Sequence, residues 1–196
     1  MKRLGGADGN ERLTAATGVV LLVLLAVEGA TLLSLESLLS VHVFVGMLLI
    51  PIVGLKLATV GYRFARYYGG SRPYRVKGAP HLLLRVLVAP VLVASTVGLF
   101  ATGVALILAG PHRGIVLGLH KASFLVWVAA MTVHVLAYVL RLPALVGADW
   151  RGSGGQGRSL RSAAVAVSVV AGVTLALFTL QYASPWLHFA RFAHDR

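Results

Sequence analysis

The sequence predicts an all-α integral membrane protein with five transmembrane helices in a single domain spanning residues 1–196. Two features of the whole chain carry that reading. The composition is 58% hydrophobic and only 12% charged, with a mean hydropathy of +0.84, which lies outside the usual range of soluble domains. The apolar residues also fall into runs of about 20 or more, long enough to cross a hydrocarbon core of ~30 Å as helices.

The first predicted span, Leu13 to Leu35, follows Lys2, Arg3 and Arg12 as a secretory signal would. Its apolar stretch exceeds the 7–15 residues of a signal core, it contains Glu28, and no small-residue cleavage site follows, so it reads as a retained helix. The second span runs from Leu39 to Tyr62 and the third from Leu82 to Ala109, interrupted by Pro51 and Pro90. Membrane helices tolerate such prolines where neighbours satisfy the freed carbonyl. Between these spans, Tyr67 to Ala79 contains Gly69, Gly70, Pro73 and Gly78, a turn-forming composition. The fourth span covers Ile115 to Leu140 and the fifth Ser162 to Ala183. Gly152 to Gly157 superficially resembles a phosphate loop, but no strand precedes it and no GKS or GKT follows, so it reads as a flexible linker. After Pro185, Trp186, Phe189 and Phe192 lie among His188, Arg191 and His194, the composition of an amphipathic segment at the outer interface.

Cations set the expected orientation. Lys2, Arg3 and Arg12 flank the start; Arg63, Arg66, Arg72, Arg75, Lys77 and Arg85 fill the second connection; Arg141, Arg151, Arg158 and Arg161 fill the fourth. The connections near Glu36 and Arg113 are short and carry little charge. The positive-inside rule places the N-terminus and both basic connections in the cytoplasm and the C-terminus outside, in the inner (cytoplasmic) membrane. The net charge of +12 is then mainly a topology signal with attraction to anionic lipid. No nucleic-acid motif accompanies it.

The most informative spacing lies inside the spans. His120 and His134 are fourteen residues apart, close to four helical turns, so both rings share a helix face about 21 Å apart along the axis. His42 and Lys56 repeat that spacing in the second span. The second and fourth spans run in the same direction, and His42 lies three residues and His120 five residues into its span. At the other end, Lys56 and His134 each precede an arginine by seven residues. The result is a ladder of two rungs, His42/His120 outside and Lys56/His134 inside, and ionisable groups at membrane depth mark function by default.

Paired imidazoles at matched depth suit the axial positions of haem iron, and two rungs suit one or two stacked haems. The chain has no cysteine, so haem b would be held noncovalently. His42, His120, His134 and Lys56 are thus the candidate metal ligands. Three roles stay open to Lys56: iron ligand after loss of its proton, partner of a haem propionate, or a cation reaching the inner surface. His81 is a second possible partner for His134. Arg113 and Lys121 are placed to balance outer propionates, with His112 beside them. Gly46 and Gly118, with Gly54, Gly98, Gly103 and Gly114, allow either a bulky group against the helix backbone or close helix packing. Glu28 falls near the outer rung, where it would relay protons, accept an imidazole N–H or only mark a helix contact.

With these residues in view, the chain resembles the small actinobacterial transmembrane b-type cytochromes of the broad cytochrome b and ferric-reductase-like group. HVFVGMLLIPIVGLKLATVGYRFARYY (His42 to Tyr68) and LHKASFLVWVAAMTVHVL (Leu119 to Leu136) carry the resemblance, which covers the second to fourth spans. It implies a haem-binding four-helix bundle plus one helix, and an electron-transfer subunit of an oxidoreductase. His42 and His120 would be the outer ligands and His134 an inner one, with Lys56 departing from the di-haem pattern. No segment outside the spans is long enough for a nucleotide or flavin domain, so the redox partner would be another protein or a quinone, within a larger complex or alone. The alternative expectation is a haem-free membrane anchor, or a subunit carrying protons through Glu28, Lys56 and His134.

Overall fold

The computed structural model describes residues 2–78, 81–111, 114–141, 143, 147 and 155–186. The regular structure among them is helical throughout, with no strand. Five long helices dominate: α1 (Gly6–Thr31), α2 (Leu35–Tyr68), α3 (Ala89–Ala109), α4 (Gly114–Tyr138) and α5 (Arg158–Leu180). Among the described residues, four helical stretches are long and apolar enough to cross a membrane, and the first, Gly6–Tyr68, contains both α1 and α2. It reverses at Leu32–Ser34, where Ser34 leaves the helical region at φ −148°, ψ 58°. The antiparallel hairpin is fixed by contacts along its length, from Asn10 Nδ2 on the Thr59 carbonyl (3.2 Å) to Glu28 Oε1 beside His42 Nδ1 (3.0 Å).

Most helix ends differ from those of the apolar runs. α1 starts at Gly6 and α2 reaches Tyr68, because a helix continues through polar residues until its backbone geometry fails, whereas hydropathy marks only the part that prefers oil. The third span opens with a π-helical segment, Leu84–Val88, ahead of Pro90. A proline ring crowds the carbonyl four residues before it, here Val86, and a wider turn relieves that clash. Residues Arg72–Arg75 of the glycine-rich connection form one short helical turn, with Tyr74 buried beneath it.

The interior is small. Leu21, Val45, Leu48, Leu49, Ile52 and Ala176 form the core where α1, α2 and α5 meet. Gly172 is essential to that meeting, since a Cβ there would collide with the Leu48 carbonyl. α3 packs chiefly on α4, with Trp127 Nε1 donating to Thr96 Oγ1 at 3.1 Å. Phe100, Val104 and Ile107 of α3 reach the core of the first group, but α2 and α4 share no extended backbone contact. Outward faces carry exposed leucines such as Leu33, Leu136 and Leu140. A surface of this kind suits a lipid solvent far better than water.

The basic segments gather at one end. Arg161 is only 2% exposed, and its Nη1 donates to the carbonyls of Leu4 and Gln156, each at 2.9 Å. Gly157, at φ +83°, lies so close under the N-terminal helical turn, Lys2–Leu4, that a Cβ would sit 2.5 Å from the Arg3 carbonyl oxygen. Lys77 bridges back to α1, pairing with Asp8 (2.6 Å) and Glu11. The Lys77 hydrogen bond and charge hold the Asp8 carboxyl below its ordinary pKa. Burial disfavours the Lys77 ammonium, yet its bonds to Asp8 and Glu11 outweigh that and raise its pKa.

Candidate functional site

The outer rung is built from four helices and one repeated device. His42 lies on α2, half-buried, with Nδ1 3.0 Å from Thr31 Oγ1 and 3.0 Å from Glu28 Oε1, both on α1. The Thr31 hydroxyl hydrogen is already directed at the Glu28 backbone carbonyl (2.6 Å), so the hydroxyl can only accept from His42. Nδ1 therefore carries the ring hydrogen, and Nε2 keeps its lone pair.

His120 repeats the logic on the other side. Its Nδ1 is 3.1 Å from Thr102 Oγ1 and 3.2 Å from the Leu99 carbonyl, both on α3. Thr102 in turn donates to the carbonyls of Gly98 (2.7 Å) and Leu99 (3.1 Å). A carbonyl and a hydroxyl with its hydrogen engaged accept only, so His120 also presents an unprotonated Nε2. Gly103 makes this possible: a Cβ there would stand 3.3 Å from His120 Cε1. The two rings are electrostatic neighbours even though their helices share no extended backbone contact.

The inner rung differs. Lys56 and His134 are electrostatic neighbours too, but Lys56 Nζ donates to the Thr14 carbonyl at 2.8 Å. That bond belongs to a polar set along the α1–α2 seam, in which Thr59 Oγ1 donates to the Lys56 carbonyl (2.9 Å), Asn10 Nδ2 to the Thr59 carbonyl and Thr14 Oγ1 to the Asn10 carbonyl (2.7 Å). His134 makes no hydrogen bond among the described residues, and its ring lies against Tyr138 with centroids 5.0 Å apart. His81 is exposed at the head of the third span, and no described contact joins it to His134.

The remaining candidates separate. Gly46 faces Glu28, whose Oε1 would lie 3.5 Å from an added Cβ. Gly118 and Lys121 are exposed on α4, and space is open beside Gly118. Arg113, His112, His188 and His194 lie outside the described residues, as do Phe189, Arg191 and Phe192 of the tail and residues 152–154 of the linker. Thr31, Thr102 and the Leu99 carbonyl went unread in the sequence, because hydroxyls and carbonyls that orient a ring from another helix leave no spacing signal.

Among the described residues no group of three or more histidine or acidic side chains could hold a bare metal ion. Haem iron asks less of the protein, since the porphyrin supplies four nitrogens and two axial donors complete the set. Two imidazoles with Nδ1 tied to acceptors and Nε2 presented fit that requirement. Compared with known protein families, curated proteins and solved structures, the chain matches none.

Proposed function

We propose that the protein is a small b-type cytochrome of the inner membrane, holding haem b between His42 and His120 and passing electrons to or from a partner protein or a quinone. The observation that supports this reading is the paired tautomer control: each ring has its Nδ1 hydrogen held by a threonine hydroxyl and a second oxygen acceptor. Fixing the ring in this way orients a metal-binding nitrogen and raises its basicity. Haem b, when bound, supplies a one-electron ferric/ferrous couple. The chain's own part would be to present two Nε2 donors from α2 and α4, each ring fixed through its Nδ1. The basic end faces the cytoplasm in this reading, with the outer rung near the opposite face.

Haem per chain, measured by pyridine haemochrome with a reduced-minus-oxidised spectrum, tests it. Wild-type protein from haem-sufficient cells is expected to hold haem with b-type bands, and His42→Ala and His120→Ala to lose it. A haem-free anchor or proton-carrying subunit is the second reading, favoured by the polar set around Lys56. Wild-type protein without b-type bands selects it.

A further inference from the structure

The two sides of the outer rung are matched except at one atom. Each ring has a threonine hydroxyl on Nδ1, but the second acceptor is a peptide carbonyl for His120 (Leu99) and a carboxyl oxygen for His42 (Glu28). Glu28 is the sole acid inside the five predicted spans, a costly placement at that depth. Its Oε2 is buried and has no hydrogen-bond partner among the described residues, so contact with His42 is what accounts for the carboxyl's position. Thr31 cooperates, because it bonds the Glu28 backbone and the His42 ring together.

We infer that Glu28 is a positioning residue that makes His42 the more electron-donating of the two axial imidazoles and thereby favours the ferric state of the bound haem. This rests on the cytochrome reading above. An ionised carboxylate oxygen on Nδ1–H shifts density towards Nε2 more than a peptide carbonyl does, and ligand basicity is one of the levers by which protein sets a haem potential. The effect belongs to the carboxylate form of Glu28, whose Oε1 accepts from His42 Nδ1–H. The asymmetry assigns opposite tasks to the two faces of the haem: α1 tunes, whereas α3 only orients.

The test is a mediated redox titration of full-length wild-type, E28Q and T31V protein in detergent or nanodiscs, with dithionite as reductant, beside haem content and the ferric EPR spectrum. E28Q keeps the acceptor shape but replaces the carboxyl by an amide carbonyl, giving His42 the kind of partner His120 has. Its expected behaviour is wild-type haem content with a reduction equilibrium shifted roughly tenfold towards ferrous, about 59 mV for one electron, and altered ferric g-values. T31V, which keeps the carboxyl, is expected to shift less. E28Q with the wild-type potential and EPR spectrum overturns the inference while leaving the cytochrome reading intact, whereas haem-free wild-type protein overturns both. Should E28Q fail to assemble, the wild-type chain decides: its redox-induced infrared difference spectrum is expected to contain a carboxylate band that stays in place when the haem propionates are 13C-labelled through 5-aminolevulinate, and the absence of such a band overturns the inference.

Discussion

The outer and inner rungs share a spacing and differ in chemistry. Fourteen residues separate His42 from Lys56 and His120 from His134, so each pair is repeated four turns further along. At the outer rung, acceptors from α1 and α3 hold both rings by Nδ1. At the inner rung, the lysine is a donor held by Thr14, and the histidine, without a hydrogen bond among the described residues, lies against a tyrosine ring. Spacing sets the level of a side chain, and its hydrogen bonds set what it can do there. An amine directed at a carbonyl is poorly prepared to bind iron, because its lone pair is free only after deprotonation.

The largest effect that could break this contrast is in haem stoichiometry. Wild type is expected to bind one haem per chain. His42→Ala and His120→Ala should lower that at least about tenfold, while Lys56→Met and His134→Ala leave it unchanged by pyridine haemochrome. Halving of an initial content of two by either inner variant would make the rungs equivalent. Next comes Gly172→Leu, which wedges α5 from α2 at Leu48, between the levels of His42 and Lys56. Overpacking of this kind costs about 1–3 kcal/mol, read as a lower thermal midpoint, and should disturb both rungs.

Thr102→Val sharpens the contrast on the α3 side. His120 keeps the Leu99 carbonyl, so the loss is expected to be near ~1 kcal/mol in stability, with haem retained and its EPR spectrum broadened. The smallest effect belongs to the ion pairs that close the basic end of the hairpin. Lys77→Met should cost no more than about 1 kcal/mol, since Asp8 is mostly solvated. Its pH dependence has a definite sign. Asp8, lowered in the folded chain, contributes above the unfolded carboxylate value of about 3.9 and loses that contribution as pH falls through its folded value. Lys77, raised, contributes below about 10.4 and loses it as pH rises through its folded value. Thermal midpoints of wild type and Lys77→Met should therefore differ between those limits and converge outside them.

Helices and their apolar runs were legible in the sequence because oil-soluble length and helical rise leave few alternatives. Depth gave His42 and His120 one expected level, since two co-directional helices share one ruler, but not the faces on which their rings lie. Helix ends were not legible: polar residues such as Gly6 to Arg12 and Arg63 to Tyr68 are helical without being apolar. Nor was the division into an α1–α2–α5 group and an α3–α4 pair, which depends on shape matches such as Gly172 against Leu48. The ring partners Thr31 and Thr102 stayed hidden for a related reason, as threonine is common in membrane helices and its role depends on which helix faces it.

The reversal at Leu32–Ser34 has a consequence for how this chain tolerates change. With only three residues between α1 and α2, the two rods are phase-locked like meshed gears. One inserted residue would turn α1 by about 100° relative to its neighbour, carrying Glu28 from the His42 edge towards the lipid. Length variation between related chains should therefore collect in the longer basic connections and leave this corner untouched.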